Sequence, residues 1–187
     1  DLEPPPSAFP TVDAGTLVPV DRLQFPAVAG VEPPGVVHKA HRMDYGPRWD
    51  RSRVITNQPP HIGPAFGMLV PQVDSVGNEL GGIRSVFVQA PLATLTPWRL
   101  RTDARHNTNE LADFLGGMIP LARTDTAANA STDPRPTVQD LYPARDAYRA
   151  RVREAADRLI EDGFLLTEDR AAEIDRAMAL WDWLMAP

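Results

Sequence analysis

The chain has 187 residues, 43% hydrophobic and 24% charged, with a formal net charge of −6, enough for one domain with its own core or two small ones in ordinary globular proportions. No stretch is strongly basic, so nucleic acid is not an expected partner, and no apolar run approaches the ~20 residues that span a bilayer, so neither is a membrane. The lack of cysteine removes disulfides, thiolate catalysis and cysteine-type zinc sites and leaves the compartment undetermined.

Asp1-Leu2-Glu3-Pro4-Pro5-Pro6 carries neither an initiator methionine nor the basic and apolar regions of a signal peptide. The start is therefore expected to be a cut point. Twelve of the 20 prolines fall in residues 1–64 and none in 144–186, so the chain should pass from irregular to helical. The expected class is α+β, in three stretches.

Residues 1–66 read as an extended, proline-rich arm. Thr16-Leu17-Val18-Pro19-Val20 fits a short edge strand, the place in a sheet that tolerates proline. Apolar residues recur through the arm at Phe9, Leu17, Val20, Leu23, Phe25, Val28 and Val31. A disordered linker would not carry them, so the arm is expected to bury them on another domain.

Residues 67–136 read as a β-hairpin and loops. Residues 68–73 and 82–89 are the expected strands, joined by the turn Asp74-Ser75-Val76-Gly77-Asn78-Glu79. Residues 91–107 are expected to form a loop bearing Trp98, Arg99 and Arg101, residues 109–115 a short helix stopped by Gly116-Gly117, and residues 124–136 a polar surface loop.

Residues 137–187 read as a helical hairpin. Thr137-Val138-Gln139-Asp140 has capping-box spacing, and Pro143 suits a first helical turn. Ala144, Tyr148, Val152, Ala155/Ala156 and Leu159/Ile160 follow at helical spacing, ended by Gly163. Thr167 is the expected cap of a second helix, with apolar face Ile174, Ala177/Met178, Trp181 and Leu184/Met185.

No motif declares a catalytic centre. A serine nucleophile of the G-x-S-x-G type needs a tight strand-to-helix turn. The nearest run, Val73-Asp74-Ser75-Val76-Gly77, begins with Val and is expected to lie between strands. His38, His41 and Asp44 could suggest a metal, but a proline-rich loop lacks the rigidity that sets ligand geometry. Residues 74–79 lack the alternating acids of a calcium loop. No catalytic residue, metal site or cofactor is therefore expected. Two binding candidates remain. Arg84 could hold a carboxylate in a fork geometry or pair with a neighbouring acid. Trp98 could line a pocket or pack structurally.

Several runs together resemble a family of bacterial proteins described as alpha/beta hydrolase domain proteins. They include Gly15-Thr16-Leu17-Val18-Pro19-Val20, Phe25-Pro26-Ala27-Val28, Asp44-Tyr45-Gly46-Pro47, and Leu69-Val70-Pro71-Gln72-Val73-Asp74 with Gly77-Asn78-Glu79. They continue through Leu80-Gly81-Gly82-Ile83-Arg84, Thr96-Pro97-Trp98, Ile119-Pro120-Leu121-Ala122-Arg123-Thr124 and Asp133-Pro134-Arg135-Pro136. Around Trp98 the chain departs from that family, with Pro97 and Arg99 where Gly and Asn are usual. The resemblance implies that the chain is the C-terminal portion of a larger α/β-hydrolase-like protein, with the nucleophilic serine and its histidine upstream. The implied partners are that upstream core and a small-molecule substrate. The implied parent activity is cleavage of an ester or related acyl bond, with the segment alone inactive. The alternatives are a non-catalytic binding or packing module and a metal-dependent hydrolase using the histidines.

Overall fold

A computed structural model describes residues 5, 8–32, 39–101, 111–112 and 115–186. Helices and short strands are mixed, and among the described residues the strands pair into three separate two-stranded antiparallel sheets. β1 (Leu17–Pro19) pairs with β4 (Leu69–Pro71), β2 (His41–Asp44) with β3 (His61–Ala65), and β5 (Ala93–Thr96) with β6 (Gly117–Pro120). The helices are α1 (Trp49–Ser52), α2 (Val86–Gln89), α3 (Asp125–Ser131), α4 (Val138–Leu141), α5 (Arg145–Glu161) and α6 (Arg170–Met185). No helix among the described residues is long and apolar enough to cross a membrane.

The core sits where α5 and α6 pack against α2 and the β5 end of the chain. Helical spacing brings Tyr148, Val152, Ala155 and Ala156 onto one face of α5, and Ile174, Ala177, Met178 and Trp181 onto one face of α6; all eight are buried. The Tyr148 ring stacks on Trp181 with centroids 5.0 Å apart, and Tyr142 meets Tyr148 edge-on, also at 5.0 Å. Burial pushes the Tyr142 and Tyr148 hydroxyls well above the ordinary phenol range. Arg145 bridges to Asp182, and Arg170 to Asp157, each through two hydrogen bonds. Exposed pairs add little stability, but these two hold the helices in register.

The helix signals meet different fates. The Thr137/Asp140 capping box forms, and the Asp140 carboxyl is held below its usual range mainly by the Thr137 backbone N–H. Pro143 does not start the long helix; the chain breaks at Tyr142, and α5 begins at Arg145. At the far end Gly163 takes φ +79°, and Gly163 N–H and Phe164 N–H bond the carbonyls of Ile160 and Leu159. That left-handed turn is one a side chain would strain. Thr167 makes no capping bond; residues Thr167–Asp169 form a 3-10 turn that leads into α6.

The expected hairpin over 67–90 is not what forms. Residues 69–71 do form a strand, but it pairs with β1, and the return stretch ends in a helix, α2. The turn itself is present, closed by the bridge Val73–Glu79. After Gly81-Gly82 the chain turns in at Ser85, so that Val86 and Ala90, four apart, both become buried against the long helices. A run as short as Val86-Phe87-Val88 has no periodicity of its own, and packing decides its state. The expected loop 91–107 likewise contains β5, and the expected loop 124–136 contains α3, capped by the Thr124 side chain at Ala127 N–H. Of the short helix expected at 109–115, residues 109–110 and 113–114 lie outside the described residues, and Leu111 bridges Leu100.

Two buried polar residues join the pieces. The Asn78 carboxamide donates to Ala93 O at 3.1 Å and accepts from Leu95 N–H at 2.7 Å. The Arg135 guanidinium, 4% exposed, donates to Asp133, to the Thr94 hydroxyl and to the carbonyls of Ile119 and Pro120. Its charge is neutralised by Asp133, whose carboxyl Arg135 holds below the usual range.

Candidate functional site

The turn that follows β4 builds the first wall of the site. Asp74 Oδ1 accepts from the N–H groups of Val76 and Asn78, each at 3.0 Å, and fixes the turn. Gly77 takes φ +90°, and a Cβ there would come within 2.9 Å of the Thr94 methyl carbon, so glycine is required for the turn to lie on β5. The N-terminal stretch forms the opposite wall. Gln72, just after β4, accepts from Gln24 N–H at 3.1 Å and donates to Arg22 O at 3.4 Å. These bonds draw Leu23 and Phe25 over the strand pair.

Between these walls lies an apolar cavity of about 200 Å³, lined by Val20, Leu23, Phe25, Val70, Leu95 and Trp98 among others. Trp98 closes one side. Its ring lies 5.8 Å from that of Phe25, and the Thr96 hydroxyl donates to its carbonyl at 2.6 Å. The cavity carries little polar surface, with Glu79 its one charged lining residue, so it suits an alkyl or aromatic group.

The two binding candidates do not share this cavity. Arg84 lies beyond it, immediately before α2, not on a strand. One arm of its guanidinium pairs with Asp74 Oδ2. The groove in which Arg84 stands borders the Trp98 cavity along Glu79, Leu95, Thr96 and Pro97. Trp98 and Arg84 thus stand on either side of a common wall.

The other candidates are dispersed. Ser75 sits exposed in the Asp74 turn, between β4 and a bridge rather than before a helix. Of the remaining serines, Ser52 and Ser131 donate to helix carbonyls, Ser85 occupies the N-cap position of α2, and Ser7 lies outside the described residues. His41 Nδ1 faces Gly63 O at 2.9 Å, and His61 stands 3.7 Å from Asp44 at an exposed edge; His38 and His106 lie outside the described residues. Among the described residues no group of three or more His, Asp or Glu side chains could hold a metal ion.

A family model described as "Alpha/beta hydrolase domain" matches residues 5–175. The chain belongs to the alpha/beta hydrolase domain family. No curated protein and no solved structure matches it. Within this family member, Asn78 and Arg135 are the residues that sequence reasoning passed over. Each falls in a run that carries the family resemblance, yet neither has a local pattern announcing that it is buried and hydrogen-bonded.

Proposed function

We propose that the chain is the C-terminal, non-nucleophile portion of a serine-type α/β hydrolase that cleaves an ester or related acyl bond. The observation that carries this reading is the family match over residues 5–175 in a chain with no G-x-S-x-G turn. The serine and histidine of the reaction then come from an upstream core of the same protein. This segment contributes the pocket: the Trp98 cavity takes the apolar part of the substrate, and Arg84 faces the carbonyl or anionic part across the shared wall.

The test uses the protein with its upstream region. It should hydrolyse p-nitrophenyl acyl esters and be labelled on serine by a fluorophosphonate, while the 187-residue chain does neither. Turnover by the chain alone, or no labelling of the longer protein, contradicts the proposal. Trp98→Leu and Arg84→Lys should raise KM or lower kcat with little loss of melting temperature. A fall in melting temperature with unchanged kinetics would make both residues structural.

A second reading, a non-catalytic packing module, draws on one observation: Ile62 and Phe66 are 71% and 60% exposed on and beside the β2–β3 pair. It predicts an upstream region without a nucleophile turn and a longer protein that resists the fluorophosphonate.

A further inference from the structure

We propose that Arg84, Arg151 and Arg158 form a binding site for a small oxyanion, a carboxylate or phosphate group, in the groove between α2 and α5. The groove has a volume of about 490 Å³, with these three arginines and Asp74 as its charged lining groups. Arg151 and Arg158 are seven residues apart on α5, two turns of one helix face. Arg84 reaches the same groove from the start of α2.

The acids beside these arginines leave part of their donor capacity unused. Asp74 takes one arm of Arg84, its other oxygen being committed to the backbone of its own turn. Glu154 takes Arg151 at 2.8 Å and Arg158 at 3.4 Å. Among the described residues the cluster of three cations with its partners Asp74 and Glu154 carries one positive charge. The Nε–H groups of Arg84, Arg149 and Arg158 are buried, and among the described residues none of them has a hydrogen-bond acceptor. A buried guanidinium N–H without an acceptor is costly. Three guanidinium groups lining one groove are complementary to the oxygens of a planar carboxylate or a phosphate, which arginine binds through paired N–H groups.

The alternative is that the arginines only pin α2 to α5. Neither ion pair does this: Arg151–Glu154 lies within α5, and Arg84–Asp74 joins the start of α2 to the Asp74 turn. The groove also shares Arg84 and Val88 with the depression that borders the Trp98 cavity. A ligand with an anionic end could therefore extend toward apolar wall. The oxyanion site does not depend on the hydrolase reading, because it is measured at equilibrium without turnover.

The test is titration of the 187-residue chain with inorganic phosphate and, separately, with acetate, at constant ionic strength. Backbone amide shifts are followed by NMR. Saturable shifts confined to α2 and the middle of α5 are expected for at least one of the two anions, and the preferred anion identifies the ligand class. Arg151→Gln and Arg158→Gln lie on the partly exposed face of α5, so they should leave the fold intact. Each should weaken binding about tenfold. Arg158→Lys, which keeps the charge and loses the fork, should fall between wild type and Arg158→Gln. No saturable binding of either anion overturns the site. So does binding that both Gln variants leave unchanged, or shifts scattered over all arginines.

Discussion

The α5–α6 and β2–β3 hairpins are both antiparallel two-element units, yet they differ in what supports them. The helical pair buries a continuous aromatic and aliphatic face and carries bidentate ion pairs between its two helices. In the strand pair every residue but Gly63 is exposed, including Met43 and Ile62. A lone two-stranded hairpin is marginal in water. Stability in this chain is therefore expected to concentrate in residues 137–187 and β5–β6, while β2–β3 presents apolar side chains outward. Phe9 (84% exposed) and Phe66 extend that pattern along the N-terminal region.

The most severe way to break the contrast is to hollow the helical side. Trp181→Ala removes the ring stacked on Tyr148 and should cost about 3–5 kcal/mol, read from the urea midpoint. A loss below 1 kcal/mol would mean that the α5–α6 face is not the core.

Arg135→Leu should come next, at about 3 kcal/mol, since it strands Asp133 as a buried charge. Its pH dependence sharpens the point. In the wild type, Arg135 holds the Asp133 carboxyl below its ordinary value of 3.8. The pair's contribution is thus present above about pH 4 and is lost as pH falls through the lowered folded value. In the variant the unpaired, buried Asp133 has a raised value, so acidification relieves the penalty. Urea midpoints at pH 7 and pH 3 should converge between the two proteins. Midpoints that stay parallel would remove the ion pair from the account.

Gly163→Ala, forcing a side chain into φ +79° at the α5 terminus, should cost about 1 kcal/mol by thermal melting. The smallest effect is expected at the strand pair. Ile62→Ser and Phe66→Ser should each shift the stability of the chain by under about 0.5 kcal/mol. If either costs as much as Trp181→Ala, β2–β3 is buried against the core in solution and the comparison fails.

The helical half was legible because a period of 3.6 repeats over sixteen or more residues, and because Thr137 and Gly163 carry local chemistry that acts without tertiary help. The Asp74 turn was legible for the same reason. Strand pairing was not. β1 finds β4 some fifty residues away, and β5 finds β6 across more than twenty, and neither distance leaves a mark in a local pattern. Val86-Phe87-Val88 reads equally well as strand or helix until the α5 surface is in place. Of the candidate site, Trp98 was visible as an aromatic in a loop and Arg84 as an arginine beside paired glycines. That one faces an apolar cavity and the other a cationic groove depends on Gln72, Asp74, Arg151 and Arg158, which are brought together only by the fold.

Asn78 has a consequence for how the chain meets other chains. In an antiparallel pair alternate residues direct their peptide groups away from the partner strand, and in β5 these are Ala93 and Leu95. A two-stranded sheet would leave that row of groups as an open template for a further strand. The Asn78 carboxamide already occupies Ala93 O and Leu95 N–H, imitating one peptide unit of a strand that does not exist. The edge is sealed against β-augmentation and edge-to-edge aggregation by the Asn78 side chain, at a point where lysine would leave Leu95 N–H without its acceptor and proline would leave both groups unbonded.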